Sequence, residues 1–171
     1  FSYIANELLK STKGYPILIL ATLGIFTAIV SAFLDNVTTV ILILPITFAI
    51  SKTLDIDPIP FLLTEVFASN IGGTATLIGD PPNIIIGSAA GFSFMDFVNN
   101  LSGVIAIILF AIISGLSIIF KDKLHADDEK MQSIAEIDNS KTITDKNLMI
   151  RSLTVLALVI LGFVTHDITH I

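Results

Sequence analysis

Side chains that could hold an ion or a polar solute are concentrated in two stretches of an otherwise apolar chain. The first stretch is DNVTT, from Asp35 to Thr39, and the second is SNIGGTATLIGDPPN, from Ser69 to Asn83. Their carboxylate, amide and hydroxyl oxygens suit a hard cation. The two stretches contain one aspartate each, Asp35 and Asp80, and no familiar catalytic motif surrounds either of them. We therefore expect a binding protein rather than an enzyme. The candidate substrate- or ion-binding residues are Asp35, Asn36, Thr38, Thr39, Ser69, Asn70, Gly72, Gly73, Thr74, Asp80 and Asn83.

The composition indicates an integral membrane protein. Apolar residues make up 53% of the 171-residue chain, and charged residues only 14%. A typical soluble domain has about 25% charged residues. The net charge of -6 is concentrated in one polar segment, 122–145, so nucleic acid is not an expected partner. With no initiator Met and an apolar run close to its end, the sequence is expected to be a fragment.

The second stretch cannot form a continuous helix in hydrocarbon. Three glycines and the Pro81-Pro82 pair interrupt the backbone hydrogen-bond ladder within it. Non-helical backbone at membrane depth persists only where protein or a water-filled cavity satisfies it. The segment 59–91 is also longer than the ~20 residues that one crossing needs. We therefore predict a broken helix that lines a polar site.

Asp35 lies between two apolar runs and is the leading candidate for ion coupling. An intramembrane carboxylate costs several kcal/mol unless it is paired, hydrated or protonated, and such acids commonly mark an ion or proton path. The alternative is a helix cap placed nearer the interface. Asn36 and the two threonines after it add neutral oxygens. Threonines alone are weak evidence, because they often bond their own backbone.

Other polar residues have two interpretations each. Asp80 is either a ligand or the cap of a half-helix that starts at Asn83. Glu65 is either a second acid on the same path or the partner of a helix outside this sequence. His166 and His170 have the spacing of a metal pair, with Asp167 as the one neighbouring acid. A structural zinc site needs about four ligands, so no metal site is expected.

The predicted fold is all-α and integral to the membrane. The run 40–50 is too short to span, which favours a re-entrant hairpin over two separate spans. We predict a transport repeat over 1–120, consisting of an amphipathic segment or helix end at 1–14, the re-entrant hairpin 16–50, the broken helix 59–91 and a transmembrane helix 97–120. A cytoplasmic linker, 121–147, and a truncated first helix of a second repeat, 148–171, follow.

The basic residues predict the orientation. None of the nine falls between Lys52 and Lys121. With a hairpin at 16–50, every lysine and arginine falls on one side, as the positive-inside bias expects. The predicted location is therefore a cell (inner or plasma) membrane, with several passes and the basic ends cytoplasmic.

Two motifs together resemble a known family. SAFLDNVTTV, residues 31–40, and SNIGGTATLIGDPPNIIIGSAAG, residues 69–91, are similar to the arsenite permease and P protein branch of the ion transporter superfamily. Members of this branch include arsenical pump membrane proteins, and they have a citrate-transporter-like domain. The resemblance implies two inverted repeats, each with a hairpin and a broken helix, and a homodimer with an elevator-like motion.

The resemblance also implies a site. In related carboxylate carriers, a Ser-Asn-Thr hairpin tip and the unwound part of the following helix bind sodium and substrate. By position, these correspond to residues 35–38 and to the 69–74 region. An acid, Asp35, replaces the tip serine here. That difference favours proton coupling or a charged cation site, and it weakens any transfer of carboxylate specificity.

The expected function is secondary active transport of a small anion or its neutral acid, with arsenite as the first candidate. No cofactor is expected beyond a coupling H⁺ or Na⁺. The expected partners are the lipid bilayer, the second repeat and a second copy of the protein. The alternatives are a sodium/proton antiporter, a citrate-like carboxylate carrier, an intramembrane enzyme that uses Asp35 and Asp80, and a structural membrane subunit.

Overall fold

The computed structural model describes residues 2–127, Lys130, Met131 and single positions between 147 and 165. It is all-α, with no strand in the described residues. Most of the predicted linker, the helix 148–171 and the histidine pair lie outside the described residues. The helices are α1 (Ser2–Ser11), α2 (Pro16–Ser31), α3 (Asn36–Leu54), α4 (Ile59–Gly73), α5 (Pro81–Ala90) and α6 (Phe94–Ile119), followed by a 3-10 turn (Lys121–Lys123).

Helix α3 is longer than its apolar run predicts. The Asp35 carboxylate accepts the Thr38 N–H at 2.9 Å, and this cap lets the helix begin at Asn36, within the polar tip. The helix continues through Pro45 to Leu54, where Asp55 adopts a left-handed conformation at φ 55°. The prediction that the second limb is too short to span is therefore wrong. By length and composition, this 19-residue helix can cross a membrane.

Residues 74–80 separate α4 from α5 and are not helical. Helix α5 begins at Pro81, two residues before the predicted start at Asn83. Prolines are tolerated there because the first N–H groups of a helix have no intrahelical partner. Helix α6 begins at a capping box in which Ser93 and Asp96 bond each other's backbone N–H groups.

Helix α4 is the central helix and packs against α2, α3 and α6. Its first half contacts Gly24 of α2 through Thr64, and its last turn crosses the backbone of Ala28 at Gly72. Helices α2 and α4 therefore run in the same direction. Helix α3 runs the opposite way, since Asn36 meets Asn70 while Thr47 meets Glu65. The buried core between these helices includes Leu20, Leu23, Ile43, Ile46 and Phe61.

Two ion pairs join the α3–α4 connection to the chain after α6. Lys123 Nζ lies 3.0 Å from Asp57 Oδ2, and Lys130 Nζ lies 2.7 Å from Asp55 Oδ2. The Ile59 N–H and then the Lys123 ammonium hold the pKa of Asp57 below its usual range. Lys130 lowers the pKa of Asp55, first by its hydrogen bond and then by its charge. These contacts place the end of α6 beside the start of α4, so α6 runs antiparallel to α4.

Much of the apolar surface of the described residues is exposed. Helix α6 has 26 residues, of which only Phe94, Phe97 and Ile113 are buried, and Ile107 and Phe110 are more than 70% exposed. Among the described residues, α6 and α3 are the two helices that are long and apolar enough to cross a membrane. A helix with this much exposed apolar surface suits a lipid environment.

Candidate functional site

The beginning of α3 meets the end of α4 and the beginning of α5 through the side chain of Asn36. Its amide Nδ2 lies 3.3 Å from Asn70 Oδ1 and 3.5 Å from Asp80 Oδ1. The Ser31 hydroxyl lies 2.9 Å from Asn36 Oδ1 and 2.7 Å from the Ser69 carbonyl, so it shares its one proton between two acceptors. We call Ser31, Asn36, Ser69, Asn70 and Asp80 the polar cluster.

The side chain of Asn83 supports the non-helical segment 74–80 through hydrogen bonds to its backbone. Its Nδ2 lies within hydrogen-bond reach of three carbonyl oxygens, at 3.4 Å from Gly73, 3.2 Å from Thr74 and 2.8 Å from Thr76. The residue is only 7% exposed. The two N–H groups of this buried amide are thus shared among three carbonyls, one at the end of α4 and two in the non-helical segment.

Thr76 connects this segment to the tip between α2 and α3. Its hydroxyl donates to the Ala32 carbonyl and also accepts the Gly79 N–H at 3.1 Å. Gly79 is needed at this approach, because a Cβ atom there would lie 2.7 Å from the Ser31 carbonyl oxygen. The tip and the segment are therefore packed backbone against backbone.

The remaining candidates have different surroundings. Asp35 is exposed and caps α3, as the alternative interpretation predicts. Asp80 stands at the N-cap position of α5 but makes no side-chain cap bond, and its carboxylate is directed to Asn36 instead. Thr38 is exposed, whereas Thr39 is buried and its hydroxyl has no partner among the described residues. Thr74 bonds its own helix at the Asn70 carbonyl, 2.8 Å away.

Sequence reasoning missed Ser31 and Thr76 as site residues. Both lie within the motifs that carry the family resemblance, but a single hydroxyl in an apolar run predicts little by itself. Their partners are 38 and 44 residues away along the chain. Only the close crossing of α2 and α4 brings these groups together.

The site combines neutral oxygens and amides with the carboxylate of Asp80, and the carboxylate of Asp35 lies on the residue next to Asn36. The polar cluster itself contains no lysine, arginine or histidine. Within the described residues, no three histidine, cysteine, aspartate or glutamate side chains are grouped as a metal site would require. Such a set can hold a single cation or a neutral polyhydroxy solute better than a free polyanion.

A cavity of about 550 Å³ opens beside the site, between α5 and α6. Its lining includes Asn83, Phe97 and Asn100. Asn83 therefore faces both the carbonyls of the non-helical segment and this space.

The chain matches the citrate transporter family model over residues 1–171. It is 44% identical to a 46 kDa membrane protein of Mycobacterium leprae, over 99% of this chain and 40% of the relative. It is 42% identical to an uncharacterized transporter of Mycobacterium tuberculosis, over 100% of this chain and 40% of the relative. It is also 38% identical to the P protein of Sus scrofa, over 65% of this chain and 14% of that protein. The chain spans about 40% of the length of the mycobacterial relatives.

Proposed function

Because the chain belongs to the citrate transporter family, we propose that the full-length protein is a secondary active transporter. It moves a small anion, or the neutral acid of that anion, across the membrane by alternating access. The observation that carries this proposal is the polar cluster, in which the α2–α3 tip meets the end of a helix. Polar residues inside a membrane are costly, and those that occur commonly mark a substrate or ion pathway.

The depth of the polar cluster supports a site inside the membrane. Helix α4 has 15 residues, and at 1.5 Å per residue it rises about 22 Å before it ends. Helix α2 has 16 residues, with a rise of about 24 Å. Both fall short of a hydrocarbon core of about 30 Å. In this proposal, α2 ends inside the membrane and α3 returns to the side on which α2 began, although the 19 residues of α3 are long enough to cross. Helix α4, residues 74–80 and α5 form one interrupted crossing.

The substrate class follows from the lack of positive charge in the polar cluster. A neutral hydroxylated acid could exchange hydrogen bonds with the amides of Asn36 and Asn70, and it brings no charge that needs compensation. Arsenite in its neutral acid form meets this description. Asp35 then holds the coupling proton or cation at the tip.

The test is arsenite accumulation by everted vesicles that contain the full-length protein, with and without a proton gradient. Wild-type protein should accumulate arsenite only with the gradient, and Asp35→Asn should abolish the accumulation. Asparagine caps helices about as well as aspartate, so this variant removes the charge and keeps α3 intact. Asp122→Asn, in the 3-10 turn, is the matched control and should transport normally.

Normal transport by Asp35→Asn would contradict the assigned role of this residue. If arsenite is not accumulated while sodium induces a clear proton flux in the same vesicles, the sodium/proton antiporter becomes the function. Both outcomes are read from one preparation.

A second candidate is a carrier of carboxylates such as citrate, favoured by the match to the family model. A free tricarboxylate needs positive charge that the polar cluster does not contain. That charge would have to come from a bound cation or from the part of the protein beyond this chain. Citrate uptake that depends on added sodium, with no arsenite uptake, would support this candidate.

The proposed assembly includes more than this chain. The relatives are more than twice as long, which leaves room for a second inverted repeat that completes the site. We also propose a homodimer in the inner or plasma membrane with the basic ends cytoplasmic. Mass measurement of the purified full-length protein in lipid would test the dimer.

A further inference from the structure

Glu65 is a buried acid that the proposed transport site does not use. It lies in the middle of α4, with none of its surface exposed. The Thr47 hydroxyl of α3 donates to Oε1, and Oε2 has no hydrogen-bond partner in the part of the chain that the structure describes. The hydroxyls of Thr39 and Ser51, which are also buried residues of α3, are unpartnered in the same way.

No positive charge faces Glu65 from the helices that pack against α4. Helix α2 has no charged residue, α3 has only the exposed Lys52, and α6 has only Asp96, in its first turn. Neither ion pair of the described residues includes Glu65. An ionised carboxylate here would be buried with one hydrogen bond and no counter-ion, which costs several kcal/mol.

We propose that Glu65 is a proton-binding site, protonated in the arrangement described here and able to release its proton when water reaches α4. Release leaves a carboxylate on Glu65 and a hydrated proton, and no other bond changes. The site is separate from the α2–α3 tip, since Glu65 precedes Ser69 by one helical turn, about 6 Å of rise. A side chain that only fills space at this position would need no carboxyl group, and an apolar one would avoid the cost of burying it.

The experiment is an infrared titration of the full-length protein in lipid, from mildly acidic to alkaline pH. Wild-type protein should show a protonated-carboxyl C=O component that disappears as pH rises, and Glu65→Gln should lack this component in the difference spectrum between the two proteins. Asp122→Asn is the control and should keep it. Identical titrations of wild type and Glu65→Gln would overturn the proposal.

Two further variants keep the test independent of folding defects. Glu65→Asp keeps an acid at the position, so it should keep a titrating band with a shifted midpoint. Thr47→Val removes the single donor to the carboxyl group and should shift the wild-type midpoint without removing the band. A midpoint unchanged in both variants would overturn the assignment of the band to Glu65.

The infrared readout needs no substrate. Whether the protein uses this proton in transport depends on the function proposed above, but the existence of the proton-binding site does not. A titrating Glu65 band in a protein that accumulates neither arsenite nor citrate would reject the proposed substrates and leave the proton site standing.

Discussion

Asp35 and Asn36, which are adjacent at the α2–α3 tip, make different contacts. Asp35 faces outward and caps α3, while Asn36 faces inward and bonds two side chains from the end of α4 and the start of α5. The exposed carboxylate therefore caps a helix, while the neighbouring amide connects the tip to Asn70 and to the half-buried carboxylate of Asp80. The amide donor compensates part of the cost of burying the Asp80 charge.

Asn83 is the residue on which the non-helical segment depends most. Asn83→Ala should lower the free energy of unfolding by ~1–3 kcal/mol, because it leaves buried carbonyls without a donor. Thermal unfolding of the purified full-length protein would measure the loss. Asn99→Ala changes an exposed asparagine of α6 and is the matched control. Equal stability of the two variants would contradict the role given to Asn83.

At the scale of helices, the distance between α2 and α4 where they cross depends on a glycine, Gly72. A Cβ atom at Gly72 would overlap the Ala28 backbone, so the two helices approach as closely as glycine allows. This approach brings Ser31 within reach of the Ser69 carbonyl. The polar cluster therefore depends on a backbone-to-backbone contact that involves no polar side chain.

Gly72→Ala should separate α2 from α4 and destabilise the protein by at least the ~1–3 kcal/mol typical of overpacking. Gly103→Ala is the control, since nothing lies within 4 Å of a Cβ atom there. That variant should be neutral or slightly stabilising, because alanine is favoured over glycine within a helix. The yield of monodisperse protein and its unfolding temperature distinguish the two. A Gly72→Ala protein as stable as Gly103→Ala would show that the crossing tolerates a wider spacing.

The helices also show how far the sequence predicts this fold. The glycines and prolines of the second stretch lie at and beside a segment without regular helix, since 74–80 is not helical and α5 begins at a proline. The apolar run 40–50 understates the length of α3, because polar tip residues can be part of a helix when an aspartate caps them. The contacts of Ser31 and Thr76, and the burial of Glu65 against Thr47, arise only when separate helices pack.

At the scale of the whole molecule, the described lysines mark one end. The Asp57–Lys123 contact joins the start of α4 to the end of α6, and Lys52 lies near the end of α3 beside them. Helix α6 begins at the opposite end, where its capping box lies. The apolar lengths of α3 and α6 lie between these ends, as they would in a bilayer.

Cysteine labelling should report these two ends on opposite sides of the membrane. This chain contains no cysteine. Once any cysteines in the rest of the full-length protein are replaced, each single cysteine substitution is the only site that can react. Lys52→Cys and Lys121→Cys should react with an impermeant reagent in everted vesicles. Asn99→Cys, near the start of α6, should react only in right-side-out vesicles. Reaction of Lys52→Cys and Asn99→Cys from the same side would refute the proposed topology.

The Ser31 hydroxyl touches both Asn36 and the Ser69 carbonyl, and Thr76 ties the neighbouring Ala32 carbonyl to the same place. These bonds connect the α2–α3 tip to the end of α4 and to residues 74–80. A displacement of one of these segments alone would break the hydrogen bonds between them. In the transporter proposed above, we therefore expect a solute bound at the polar cluster to move together with both segments.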